Sequence, residues 1–334
     1  MILREYLYVD GVAVRGLLAQ IDSGITEKQS TKSSRTKLTG GGLKGFAEHA
    51  ATSLEDTSYE KNFADALFPT LESALESEGL LEDVSALLTE AEPWEDSRLR
   101  TVLSPGKIIR VSAPGYLMDA RFMANIMTGF AVTHRGLVHM GSIETDSTTP
   151  RPAGPKKGAV KSTKNAYKDL PHEEDSLESY IPKGKIKFSA EEEDPISGEF
   201  LRGVVQVLRG MYPPGLHMHL VPNHAGGAIT IRLQEGRQYM DSSPDVLFSR
   251  YGVSEQEWTV VGTVGHHAAP TPDMGNPNFM TGDVIHREKF AQFASGLAVT
   301  LGNLGLTDLA QTPGFSMVPW AVYRTLGAPQ DEDG

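Results

Sequence analysis

A strand that feeds straight into a capped helix needs a sheet to belong to, and this chain opens with one. Tyr6-Leu7-Tyr8-Val9 is an apolar run of strand-forming residues. Asp10 comes next, and its carboxylate can accept the exposed N–H groups of a first helical turn. Val14, Leu17, Leu18 and Ile21 then recur at helical spacing, with Gly24 as the expected stop. The unit therefore belongs to the core of the fold. It carries no nucleophile, metal cluster or phosphate loop, so it defines no activity by itself.

The chain has 334 residues, enough for one large or two ordinary domains. Its net charge of −12 gives a surface that repels a phosphate backbone, which argues against general nucleic-acid binding. It has no cysteine, which removes disulfides, thiolate zinc sites and thiol nucleophiles together. Glu5 directly follows Arg4 and no long apolar segment comes after it, so no signal peptide is expected. No run of about 18 apolar residues occurs, so neither a membrane-spanning helix nor a membrane partner is expected. Together these observations point to a cytoplasmic protein.

Residues 22–58 are rich in Ser, Thr, Lys and Gly, and Lys28, Lys32, Arg35, Lys37 and Lys44 make them locally basic. They read as a flexible basic loop. Nucleic acid could be touched there, although no aromatic residues interleave to stack on bases. Over 59–92, Phe63, Leu67, Leu71 and Leu75, then Leu80, Val84, Leu87 and Leu88, make two apolar stripes. They predict an amphipathic helical hairpin lying on a sheet. Pro105-Gly106 and Pro114-Gly115 read as turns on either side of an alternating strand, Lys107 to Ser112. Met118, Phe122, Ile126 and Met127 predict a helix over 117–129. Residues 130–145, with Val132, Leu137, Val138 and Ile143, read as a further pair of strands.

From 146 to 184 the chain turns polar, as in Thr149-Pro150-Arg151-Pro152 and Glu173-Glu174-Asp175, and this is the expected linker. It separates an N-terminal α/β module, 1–145, from a C-terminal α+β module, 185–328, which ends in an acidic tail, 329–334. In the second module Lys185–Phe188 reads as a strand and Ile196–Leu208 as a helix that Pro213-Pro214-Gly215 ends. Leu216–Val221 and Ala228–Leu233 read as the strands of a hairpin. Ser243-Pro244-Asp245 opens a short helix through Tyr251, and Trp258–Val264 alternates as a strand. Phe290, Phe293, Leu297 and Leu301 mark a helix over 285–303, and Met317–Leu326 is a last apolar element. The expected class is α+β, with mixed or mainly antiparallel sheets and packed helices, in two modules.

The opening stretch also carries a resemblance. Tyr6-Leu7-Tyr8-Val9-Asp10, then Val14-Arg15-Gly16-Leu17-Leu18-Ala19-Gln20-Ile21 and the Ser/Thr/Lys/Gly-rich segment, resemble the start of a bacterial family of unknown function. Its members begin with a Tyr-Leu-x-Asp strand and a Leu-Leu-x-Gln helix. The match covers residues 4–24, and Ile108-Ile109-Arg110-Val111 followed by a helix fits it loosely. The resemblance assigns no catalytic residue. By association it suggests a role in anti-phage defence or toxin–immunity systems.

His217-Met218-His219 with His224 is the sharpest cluster for chemistry. Residues two apart in a strand share a face, so the first two imidazoles would point the same way. Imidazole suits zinc and other transition metals. A catalytic site would also need a carboxylate or another firm ligand, and the nearest acids in sequence are Glu235 and Asp241. His266 or His267 would join the cluster if the two strands paired. No Gly-x-Ser-x-Gly elbow is present. The sequence thus favours a non-catalytic accessory protein with no cofactor, which binds another protein or itself. A metal-dependent hydrolase or nuclease on the histidines is the alternative.

Overall fold

The computed structural model describes residues 3–30, 57–95, 98–141, 181, 184–186, 196–223, 227–240, 242–273, 280–281 and 284–327. In chain order the main elements begin with strand β1 (Leu3–Val9), helices α1 (Gly11–Ser30) and α2 (Thr57–Ser77), and strand β2 (Ile108–Met118). Helices α3 (Ala120–His139) and α4 (Gly198–Met211) follow, then strands β3 (Leu216–Leu220) and β4 (Ile229–Leu233). Helix α5 (Pro244–Tyr251), strand β5 (Gln256–His267), helix α6 (Arg287–Asn303) and strand β6 (Phe315–Leu326) complete the set. The class is α+β, as the patterning indicates.

Five of these strands close into a barrel. β2 runs antiparallel to β3 and to β5, β3 antiparallel to β4, and β5 antiparallel to β6. The circuit closes where β4 meets β6 in parallel. Around the barrel the order is first, second, third, fifth, fourth, and α5 lies between the third and fourth strands. That is the connectivity of the OB-fold. β1 widens the sheet by pairing antiparallel with the C-terminal part of β6, Ala321–Leu326, beyond the residues that pair with β4.

The two modules expected from the sequence are therefore not what forms. β2, from before the expected linker, hydrogen-bonds to β3 and β5, from after it. One compact unit is Met1–Asp119 together with Gly215–Gly334, and the other is Ala120–Pro214. The physical reason is edge satisfaction: closure pairs the free edges that separate small sheets would leave open. The linker at 146–184 falls almost wholly outside the described residues, as does the acidic tail.

Alternation along each strand sends one set of side chains inward. Val111 lies opposite Val260, which lies opposite Val322, and all three are fully buried. Leu117, Met218, Ile231 and Met317 make a second layer across four strands. Trp258 fills the space opposite Ala113, and Tyr251 of α5 meets its ring edge-on at 5.4 Å. Pro114-Gly115 does not turn the chain as its composition predicts; it lies inside β2. A Cβ at Gly115 would sit 2.7 Å from the His219 carbonyl oxygen. Only glycine permits that approach, at the residue where β2 passes from β5 to β3.

Outward residues of β1, β5 and β6 meet the helices. Val14 of α1 and Ala64, Phe68, Leu71 and Leu75 of α2 pack with Val9, Val261 and Ala321. Asp10 caps α1 as expected, its Oδ1 accepting Val12 N at 3.1 Å and Ala13 N at 3.0 Å. The helix runs on past Gly24 to Ser30. The second arm of the predicted helical hairpin is short: Glu82–Asp83 pairs with β2, and Ser85–Thr89 makes little more than one turn.

In the second unit, residues 130–139 are helical, not a pair of strands. Ala120, Ala124, Thr128, Ala131 and His134 recur at three- and four-residue steps and bury one face of α3. Ala124 and Ala131 pack with Leu201 and Val205 of α4 and with Ile186. Ser197 caps α4 by accepting Phe200 N.

Candidate functional site

Two places in the barrel unit carry concentrated polar chemistry. The first is a cleft of about 720 Å³ between α2 and the outer face of the sheet. Arg4 and Tyr6 come from β1, Glu72 and Glu76 from α2, Arg110 from β2 and Tyr323 from β6. Glu72 is 3% exposed and gathers the group. Its Oε2 lies 2.5 Å from Arg4 Nη2, and its Oε1 accepts Arg110 Nη2 at 2.7 Å, Arg110 Nε at 3.0 Å and the Tyr323 hydroxyl at 3.1 Å. Arg110 also donates to Glu76, and the Arg4 guanidinium lies over the Tyr323 ring at 4.7 Å.

Burial would lower the Arg110 pKa, but hydrogen bonds to Glu76 and Glu72 outweigh it and hold the guanidinium charged. Burial pushes the Tyr323 phenol up, with Glu72 adding to the effect. It also pushes up Tyr6, which neighbouring Arg4 partly offsets. Both phenols therefore remain protonated donors at neutral pH. Arg4 and the Tyr6 hydroxyl interact with each other, and beyond that contact neither buried Arg4 Nη1 nor the buried Tyr6 hydroxyl has a partner. Ser112 and Thr259, on paired strands, complete the floor with hydroxyls 2.8 Å apart.

Sequence reasoning missed this cleft. The signal was there: Glu72 stands in phase with Phe68, Leu71 and Leu75 on the apolar stripe of α2, where a lone carboxylate is out of place without a partner.

The second place is the outer face of β3 and β4. His217 and His219 share it, as their spacing predicts. They lie opposite Met118 and Tyr116 of β2 on one side and Arg232 and Thr230 of β4 on the other. Tyr116 is 39% exposed and its ring tilts against His219 at 5.5 Å. His217 is fully buried. The chain returning from α6 to β6 brings Asp308 Oδ1 to 3.1 Å from its Nδ1, so the carboxylate missing nearby in sequence is supplied from far along the chain. Burial holds the His219 pKa down, and His217 adds to that, so His219 stays neutral near pH 7.

His224 lies outside the described residues. His266 and His267 do not join the cluster, because β5 pairs with β2 and β6 and not with β3. His266 Nδ1 lies 2.7 Å from Ser316 Oγ, and His267 Nε2 lies 2.6 Å from the Leu103 carbonyl. Among the described residues no group of three His, Cys, Asp or Glu is arranged to hold a metal ion. Lys28 lies in α1, and Lys32, Arg35, Lys37 and Lys44 lie outside the described residues. No described helix is long and apolar enough to cross a membrane.

These features define an α+β protein built on a closed five-stranded barrel with OB-type strand order. Residues 3–323 match the family model described as "Domain of unknown function (DUF6414)", and the chain belongs to that family. No curated protein and no solved structure matches it.

Proposed function

We propose that this protein works by binding another protein, without a catalytic centre of its own, and that the outer face of β3 and β4 is its recognition surface. One observation carries the proposal. The strand order is that of the OB-fold, in which the face of the second and third strands is the recognition face, for oligonucleotides and oligosaccharides. Here those strands are β3 and β4. A fold alone does not assign a ligand, and the chemistry lies in the side chains of that face. They supply an exposed tyrosine against His219, a threonine and an exposed arginine. Aromatic residues and arginine are the types enriched where protein partners dock. The net charge of −12 favours a polypeptide occupant over a polyphosphate one. The defence or toxin–immunity setting suggested by resemblance makes the products of neighbouring genes the first partners to test.

Native mass spectrometry of the chain purified from its own host tests this. The wild type is expected to carry a stoichiometric protein, or a second copy of itself. Tyr116→Ala with Arg232→Glu is expected to lose that partner while its circular dichroism is unchanged. A partner retained by the double variant would place the surface elsewhere, and a nucleic acid in its place would change the partner class.

A second reading is a metal-dependent hydrolase or nuclease on His217 and His219, favoured by the Asp308 carboxylate at 3.1 Å. Elemental analysis of the same sample tests it. Stoichiometric zinc or another transition metal that disappears in His219→Ala supports this reading, and a metal-free sample removes it.

A further inference from the structure

We infer that the cleft between α2 and the sheet is a binding site for a small, uncharged, polyhydroxylated ligand of the sugar class. The inference does not depend on the recognition face of β3 and β4. A volume of about 720 Å³ falls within the range of small-molecule sites and exceeds what a few bridging waters need. Most of the floor is sheet, so its groups are held in place before a ligand arrives.

Charge decides the class of ligand. Arg4 and Arg110 are balanced by Glu72 and Glu76, and the ion pairs run within the cleft. An anion would meet two carboxylates already present, and a cation two guanidiniums. A neutral ligand meets neither penalty.

The unmet hydrogen bonds decide its chemistry. Arg4 and the Tyr6 hydroxyl interact with each other, the guanidinium donating to the phenol oxygen, and beyond that contact neither buried Arg4 Nη1 nor the phenol O–H has a partner. Leaving buried donors unmade is costly, so an incoming oxygen acceptor gains what the protein forgoes. Around them stand groups that both donate and accept: Ser73, Ser112, Thr259 and Thr325. Glu76, with half its side chain exposed, can accept a hydrogen bond from a hydroxyl group. Donors and acceptors alternating over a few ångströms match vicinal hydroxyl groups, each of which does both.

Titration calorimetry on the full chain tests the inference, with glucose, ribose and inositol as neutral probes and sodium acetate and sodium phosphate as anionic ones. At least one neutral probe is expected to bind saturably, and neither anion is. Tyr6→Phe keeps the ring and removes the donor, so it is expected to weaken that binding about tenfold, the worth of one hydrogen bond. The variant also loses the contact between this hydroxyl and Arg4, so circular dichroism of the ligand-free variant shows that it is folded before its binding is compared. Failure of all three neutral probes would overturn the inference. So would binding undiminished in the folded Tyr6→Phe variant, or preference for acetate or phosphate.

Discussion

Glu72→Ala lowers the stability of the barrel unit by about 3–5 kcal/mol, the cost of stripping one partner from a buried ion-pair network. Glu72 is 3% exposed, so solvent does little to screen the change. Its removal leaves Arg4 without its carboxylate, takes two hydrogen bonds from Arg110 and strands the Tyr323 hydroxyl. Arg110 keeps Glu76, which limits the loss. Glu72→Gln retains an acceptor for Arg110 and Tyr323 and is expected to cost less than half as much. Trp94, Trp258 and Trp320 are all buried in the barrel unit, so tryptophan fluorescence in urea follows that unit and not Ala120–Pro214. Equal midpoints for wild type and Glu72→Ala would mean that the cluster is solvated and the ion pairs are incidental.

Trp258→Ala is the second large effect, about 3–5 kcal/mol, from lost burial together with the cavity left behind. The indole is 2% exposed, lies opposite Ala113 inside the barrel and contacts Tyr251 edge-on. Its small neighbour cannot expand into the space, and the strands are fixed by ladders on both sides. Arg324 adds a cation over the ring at 5.5 Å, held in turn by Gln256 and Glu5. The loss is read from far-ultraviolet circular dichroism in urea, because the substitution removes one fluorophore. A cost below about 1 kcal/mol, the level of a surface substitution, would mean that the barrel interior is not packed around this residue.

Much of the local structure was legible. The alternation over Trp258–Val264, the hairpin of Leu216–Val221 and Ala228–Leu233, and the Asp10 cap are short-range patterns, and each formed where its residues predict. Local rules failed at Pro114-Gly115, because composition cannot tell a turn glycine from one that admits a neighbouring carbonyl. They failed again over 130–139, where a β-branched, apolar stretch buries a helical stripe of small residues.

The barrel itself was not legible. Its closing contact joins β4 to β6 in parallel, and β2 finds β5 across the whole of the second unit. No periodicity within a window reports such pairing. The candidate sites divide in the same way. His217 and His219 were found from spacing two apart, while Asp308, Arg4 and Arg110 reach their partners only through tertiary contacts.

One barrel is drawn from both sides of the polar segment, and the absence of native cysteine makes a direct test of it clean. Ser112 and Thr259 lie opposite each other on β2 and β5, with hydroxyl oxygens 2.8 Å apart. The double variant Ser112→Cys with Thr259→Cys, mildly oxidised and followed by thiol titration and intact mass, is predicted to close an intrachain disulfide, since facing residues of paired strands suit that bond. Two thiols that stay free in the folded chain, or that cross-link only between chains, would contradict the barrel, and with it the recognition face assigned to β3 and β4.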